Sequence, residues 1–269
     1  MTIGEPERIA VAGDWHGNTA WATRVIRRIS GLLPQDQPRL IVHLGDFGIW
    51  PGADGLEYLA RLDAVLAATG THLMFVDGNH EDHTRLASLR RSPDGTARVT
   101  NNIWHLPRGY RWWWHGRQWL ALGGAVSLDR AARIPGRNWW PEEEITHRQA
   151  EAVVQAGPAD VMVTHECPAG VEHEFDPPPS WWAPEDLRRN EAHRELMRQI
   201  AVRVRPGWLM HGHLHRAYQR TVDIGAGPME ITGLDCDGSD RGNWAILDVV
   251  GMRWTRSQGR LSREFSRRS

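Results

Sequence analysis

Two textures alternate along the first hundred positions. Short β-branched or aliphatic runs over 8–13, 40–44 and 73–76 read as buried strands. Between them Trp21, Val25, Ile26 and Ile29 share one face of a helix whose arginines point outward. Leu56, Leu59, Leu62, Val65 and Leu66 form the stripe of a second helix, which ends at Gly70. This is the pattern of βα units around a buried sheet. After Leu89 the pattern shifts: a Trp-rich run over 103–122 predicts sheet with aromatic packing and a hairpin turn at His115 and Gly116. Residues 141–156 predict a helix opened by Pro141, with Glu142, Glu143 and Glu144 at the positive end of its dipole. A strand over 161–164 follows. Pro177, Pro178 and Pro179 then mark an exposed loop over 175–184 before a helix reaching Ile200. Runs over 207–210, 216–222, 229–234 and 243–249 predict closing strands. With no internal repeat and no long linker, the expectation is one domain over 1–255, with loop insertions near 125–140 and 168–184.

Composition narrows the chemistry. The 269 residues suffice for a full α/β core, and 41% hydrophobic with 24% charged residues is ordinary for a globular protein. A net charge of -1 gives no global pull toward nucleic acid or anionic membranes. Only 256–269, with Arg256, Arg260, Arg263, Arg267 and Arg268, departs from this balance and reads as a basic, solvated tail. All 32 Lys+Arg residues are arginine, so Schiff-base chemistry and a P-loop nucleotide site are excluded. Two cysteines, Cys167 and Cys236, are too few for a disulfide framework. The first eight residues lack an apolar signal core, and no stretch approaches the ~20 apolar residues of a membrane span, so a cytoplasmic protein is expected.

Five polar clusters sit directly after predicted strands: Asp14 with His16; Gly45 with Asp46; Gly78, Asn79, His80 and Glu81; Thr164, His165 and Glu166; and Gly212, His213, Leu214 and His215. Strand ends on one sheet edge converge, and α/β proteins place sites there. Asp, Asn and His are oxygen and imidazole donors suited to Mn, Fe, Zn, Co or Ni. A single Asp–His pair is ordinarily a surface or capping pair. Five clusters, each beside a glycine or small residue that admits close backbone approach, are not explained that way.

In order, these clusters resemble the motifs of the calcineurin-like metallophosphoesterase superfamily: D-x-H, G-D, G-N-H-[DE], H and G-H-x-H. The stretches 123–129 and 139–144 also resemble a pattern in small bacterial and phage members, or are a strand end and a helix start with Trp139 and Trp140 in the core. The resemblance implies an α/β fold, a four-layer αββα sandwich with two central mixed β-sheets. It also implies two divalent metal ions, Mn first among the candidates. By carry-over, Asp14, His16, Asp46 and His215 hold one ion while Asp46, Asn79, His165 and His213 hold the other, Asp46 bridging. Two cations about 3.5 to 4 Å apart can share a hydroxide for in-line attack on phosphorus. His80 matches the histidine beside the leaving group, as a general acid or as a group that only hydrogen-bonds a phosphate oxygen.

Relatives that are protein phosphatases or dinucleoside tetraphosphatases continue the second motif to an arginine that binds phosphate. Here the run is Gly45-Asp46-Phe47-Gly48-Ile49-Trp50, without it. A phosphomonoester dianion thereby loses a bidentate partner that a singly charged diester needs less, which favours a phosphodiesterase. Trp15 and Trp50, beside metal ligands, either stack on a nucleobase or pack in the core. Ser127, Asp129 and Arg137 are further candidates for substrate contact, with Asn79. The expected partner is a small phosphate ester of nucleotide type, nucleic acid being disfavoured by the charge balance. A phosphomonoesterase (a protein phosphatase included), a nuclease, and a metal-binding scaffold without turnover are the alternatives.

Overall fold

The computed structural model describes residues 4–34, 36–171, 181–239, 241–257 and 262–263. Strand β1 (Arg8–Ala12) leads into α1 (Thr19–Ser30), β2 (Leu40–His43) into α2 (Gly52–Thr69), and β3 (His72–Phe75) into the short α3 (His83–Ser88). Then come β4 (Ala97–Arg98), β5 (Ile103–His105), β6 (Arg111–Trp114), β7 (Arg117–Leu122), α4 (His147–Gln155), β8 (Val161–Thr164) and α5 (Pro184–Val204). The chain closes with β9 (Trp208–His211), β10 (Tyr218–Asp223), β11 (Pro228–Gly233), β12 (Trp244–Asp248), β13 (Arg253–Ser257) and β14 (Ser262–Arg263).

The strands form two seven-stranded mixed sheets, in the orders β13-β12-β1-β2-β3-β5-β4 and β14-β10-β11-β9-β8-β7-β6. Strand alternation separates their faces. Ile9, Val11, Leu40 and Val42 of the first sheet meet Trp119, Ala121, Val161, Val163 and Met210 of the second in a central apolar layer. The opposite residues of the first sheet, among them Ala10, Ala12, Ile41 and Phe75, pack on α1 and α2. Leu120, Met162, Leu209 and Ile231 of the second pack on α4 and α5. The expected four-layer αββα sandwich follows from these three cores.

The helices agree with the apolar pattern where their caps do. Asn18 caps α1 by accepting the Trp21 N–H at 3.0 Å, and the buried stripe is Trp21, Ala22, Val25, Ile26 and Ile29. Helix α2 ends on Gly70 in the left-handed region, but Leu56 is 58% exposed and does not join its stripe. Tyr58 takes the inward place because its hydroxyl can donate to the Phe47 carbonyl, at 2.7 Å.

Three expectations need revision. The Trp-rich run is divided: Ile103–His105 pairs with β3 in the first sheet, and only 111–122 forms the hairpin of the second. The helix over 141–156 is broken: Pro141–Glu143 is a single 3-10 turn, and α4 starts at His147. Thr146 and Gln149 form a reciprocal capping box there, a stronger start than proline with three glutamates. Glu143 is buried and turned toward Ser127, so it does not serve a helix dipole. The short α3 and β4 were not foreseen.

Of the proline loop, 175–180 lie outside the described residues. Within 256–269, Arg256 and Ser257 belong to β13 and Ser262–Arg263 pair in parallel with β10; the others lie outside the described residues. Among the described residues no helix is long and apolar enough to cross a membrane. Among the described residues Cys167 and Cys236 form no disulfide.

Candidate metal centre

Strands β1, β2 and β3 run parallel in one sheet, and β8 and β9 run parallel in the other. The loops leaving them carry all seven metal-ligand candidates, so one edge of the sandwich gathers donors from both sheets. The loops are sharply turned. Seven described non-glycine residues have positive φ, and four of them are His16 (45°), Asp46 (52°), His213 (63°) and His215 (50°). Such backbone persists only where surrounding contacts over-determine it, and it concentrates at functional sites. The flanking glycines make room: a Cβ on Gly78 would collide with Asp46 Oδ1, and one on Gly45, at φ +94°, with the His165 ring.

Asp46 is the hub. Its Oδ2 lies 3.4 Å from His16 Nε2 and 3.7 Å from His80 Nε2, while Oδ1 lies 3.4 Å from His165 Nε2 and accepts the His80 N–H at 2.8 Å. Two donor groups meet in it: His16, Asp46 and His80, and Asp46, His165 and His213. Asn79 Oδ1 stands 3.2 Å from His165 Nε2. Asp14 Oδ2 accepts the His213 N–H at 2.9 Å and lies 3.4 Å from His215 Nε2. The His16 and His215 ring centroids are 5.0 Å apart. All seven candidates are thus brought together, with His80 within reach of the same carboxylate.

Surrounding groups aim these donors. His165 Nδ1 donates to the Leu44 carbonyl at 2.7 Å, which turns Nε2 inward. His16 Nδ1 faces Asp237 Oδ1 at 2.8 Å, and Asp237 Oδ2 accepts from Asn18 Nδ2 at 2.7 Å. His213 Nε2 lies 3.6 Å from Glu166 Oε2. Glu81 accepts from the backbone N–H groups of Phe47 (2.6 Å), Gly48 (3.2 Å) and Gly78 (2.5 Å), stapling the second motif to the third. Burial and then the Asp46 charge push its carboxyl up to about 8, against the three donors that favour the anion.

The electrostatics suit a cation. Burial opposes charge on His16, yet Asp237 and Asp46 raise it to about 11; likewise Asp46 and Asp14 outweigh burial and raise His165 to about 10. Burial raises Asp14 to about 7 although His165 opposes it, whereas His80 and His165 overcome burial and hold Asp46 well below the carboxylate range. The carboxylates draw protons onto the His16 and His165 imidazoles, although burial lowers His213 and His215, and the same negative field attracts a cation. Asp14 Oδ1 is buried with no hydrogen-bond donor, an acceptor that a cation would satisfy. The donor set, three carboxylate or amide oxygens and four imidazoles, therefore fits a pair of divalent ions.

The substrate candidates divide. Trp15 is fully buried, donating Nε1–H to Asn243 Oδ1 at 3.2 Å and meeting His43 edge-on, so it is core and not a stacking surface. Trp50 is 41% exposed, with its ring over Gly17, the neighbour of His16. Ser127 is also fully buried and cannot meet substrate. Its Oγ accepts from Asn79 Nδ2 at 3.1 Å and donates to Glu143 Oε2 at 2.6 Å. This chain sets the amide of Asn79 with Oδ1 toward the centre. Ser127→Ala is accordingly expected to weaken Mn binding about 10- to 100-fold, measured by calorimetric titration; an unchanged affinity would remove Ser127 from this role. Arg137 is exposed in the same insertion. Asp129 forms a fork with Arg133, whose Nη2 reaches His80 Nε2 at 3.1 Å. Arg133 and Asp237 were missed, and Glu143 was read as a helix-dipole residue: no spacing links them to the ligand motifs.

A model of the family described as calcineurin-like phosphoesterase matches residues 7–217. No curated protein matches the chain. Among solved structures, TT1561 of Thermus thermophilus is similar at 12% identity and TM-score 0.54, covering 93% of this chain and 97% of that one. GAP50, the anchor in the inner membrane complex of Plasmodium, has 13% identity and TM-score 0.46, covering 94% and 76%. The first of these likenesses supports the fold alone. With the family model spanning every ligand candidate, the chain belongs to the calcineurin-like phosphoesterase family, whose members are hydrolases acting on phosphate ester bonds and are typically dependent on two metal ions.

Proposed function

We propose that this hydrolase is a phosphodiesterase for a nucleotide-type diester, using two divalent ions with Mn as the first candidate. The observation that carries the diester reading is the rim beside His16. Where an arginine would follow the second motif, Phe47 and Ile49 are buried and Trp50 presents an exposed ring. An aromatic face there suits a base, such stacking being worth about 1–3 kcal/mol in nucleic-acid proteins.

Asp14, His16, Asp46 and His215 would hold one ion and Asp46, Asn79, His165 and His213 the other. When bound, such ions activate water and offset charge developing on the phosphate. The residues of the chain orient and exchange protons. Asp237, Ser127 and the Leu44 carbonyl fix donors before substrate arrives, so little reorganisation remains. His80 would hand a proton to the departing oxygen. Burial and Arg133 lower it to about 4, and the Arg133 N–H on Nε2 requires an unprotonated nitrogen. Proton donation from His80 Nε2 therefore requires that Arg133 release this nitrogen and that it first take up a proton from water.

Chelated protein with and without Mn, offered p-nitrophenyl phosphate and bis-p-nitrophenyl phosphate, tests this reading. Mn-restored cleavage with the diester faster is expected. Faster monoester turnover makes the protein a phosphomonoesterase, and cleavage of single-stranded DNA with steep salt dependence a nuclease. Absence of both metal uptake and turnover leaves a scaffold.

A further inference from the structure

Resting on the phosphoester-hydrolase reading, we infer that Arg133 contacts the substrate phosphate and that Asp129 determines how much phosphate charge it accepts. The insertion over 125–140 turns tightly here: Asp129 precedes the 3-10 turn Arg130–Ala132, and Arg133 follows it. The carboxylate and guanidinium meet as a fork, Nε on Oδ1 and Nη2 on Oδ2, both at 2.6 Å. Nη1 donates to the Asn138 carbonyl at 2.9 Å, which closes the loop. Loop closure accounts for those three bonds and not for the fourth, which sends Nη2 to His80 Nε2, a nitrogen 3.7 Å from Asp46 Oδ2. The guanidinium is therefore one imidazole away from the bridging carboxylate. It occupies, from a loop, the role left open where the second motif lacks arginine.

Its charge is not free. Arg133 is 11% exposed, and its fork partner Asp129 is 35% exposed and bound directly to it. A phosphate arriving at Arg133 meets an ion pair close to neutral: one Nη1 N–H is uncommitted, a second on Nη2 becomes available when His80 Nε2 is released, and the Asp129 carboxylate stands beside them. A singly charged diester can use the donors at little electrostatic cost. A doubly charged monoester or inorganic phosphate gains less from the compensated guanidinium and is repelled more by Asp129. The pair is thus a charge filter: Arg133 is the contact, and Asp129 is a positioning residue acting through it.

The test compares wild type, Asp129→Asn, Arg133→Gln and Arg133→Lys, each checked for native circular dichroism. Isothermal titration of the Mn-loaded proteins with inorganic phosphate reads the site without turnover. Asp129→Asn is expected to tighten phosphate roughly tenfold and Arg133→Gln to weaken it roughly tenfold, with Arg133→Lys in between. With the two nitrophenyl esters, Asp129→Asn is expected to raise kcat/KM for the monoester relative to the diester by a similar factor, through KM. Equal phosphate affinity in wild type, Asp129→Asn and Arg133→Gln overturns the inference, as does equal weakening in Asp129→Asn and Arg133→Gln, which is what a purely loop-closing pair would give. Opposite shifts in phosphate affinity without cleavage of either ester would uphold the inference and count against the hydrolase reading instead.

Discussion

Asp46→Asn is expected to lower kcat/KM for a phosphate ester on the order of 10³-fold, the largest functional effect of any single substitution in this chain. Both donor groups contain Asp46, and it is the carboxylate facing His16, His80 and His165 together. Asparagine retains the shape and can still accept the His80 N–H, but it removes the negative charge and one of two anionic oxygens. Metal content should fall along with activity, so elemental analysis after Mn loading and gel filtration is the companion measurement. Near wild-type kcat/KM with a full complement of metal would show that the centre has been placed on the wrong residues.

Arg108→Ala is expected to be the most destabilising substitution outside the centre. Arg108 Nε donates to Asp77 Oδ2 at 2.8 Å, and its two terminal nitrogens donate to the carbonyls of Glu142 (2.9 Å), Glu143 (2.8 Å) and Glu144 (2.6 Å). It thereby ties the strand end before Gly78 to the turn that carries Glu143. Asp77 and Arg108 are 3% and 7% exposed, so alanine would strip a buried carboxylate of its charged partner, leaving it only His105, and would take a donor from three carbonyls, of which that of Glu143 keeps the Ala125 N–H. Breaking a buried pair in this way costs about 3–5 kcal/mol, equivalent to a fall in Tm on the order of 10 °C.

The pH dependence gives that prediction a sign. Burial would raise the Asp77 carboxyl, but Arg108 and then His105 hold it well below the usual range. A depressed folded value contributes stability that is complete above the unfolded value, about 3.9, and is lost only as pH falls toward the folded one. Without Arg108, burial prevails and the folded value rises, so the variant loses stability as pH climbs from about 4. The Tm gap between wild type and Arg108→Ala should therefore be wider at pH 7 than at pH 4. A gap independent of pH would mean that the carbonyls, and not Asp77, account for the loss.

The order of strands and helices was legible in the sequence because both signals are local. The apolar runs over 40–44 and 73–76 fall within one residue of the observed strands, and the stripe of Trp21, Val25 and Ile29 recurs every turn. The ligand candidates were legible for a related reason, since each occupies the few residues after a strand end and adjoins a glycine or small residue that lets the loop turn. Pattern alone misled at two places: Pro141 and its glutamates suggest a helix start that the Thr146–Gln149 box provides instead, and Leu56 matches a stripe from which the position of Tyr58 displaces it.

What the tertiary structure alone decided is how those residues are aimed and charged. Asp237 reaches His16 across 221 positions, Glu143 reaches Ser127 across 16, and Arg133 reaches His80 across 53. A hydrogen bond depends on direction and a few tenths of an ångström, and neither is encoded in separation along the chain. The same holds for Trp15: one residue from His16 in sequence, it points into the core because the left-handed turn at His16 sends the two side chains apart. Local periodicity therefore determined the elements, and the resemblance of the ordered motifs to a known family implied the inventory of donors, while packing between two sheets determined which donors converge, against which charges, and beside which guanidinium.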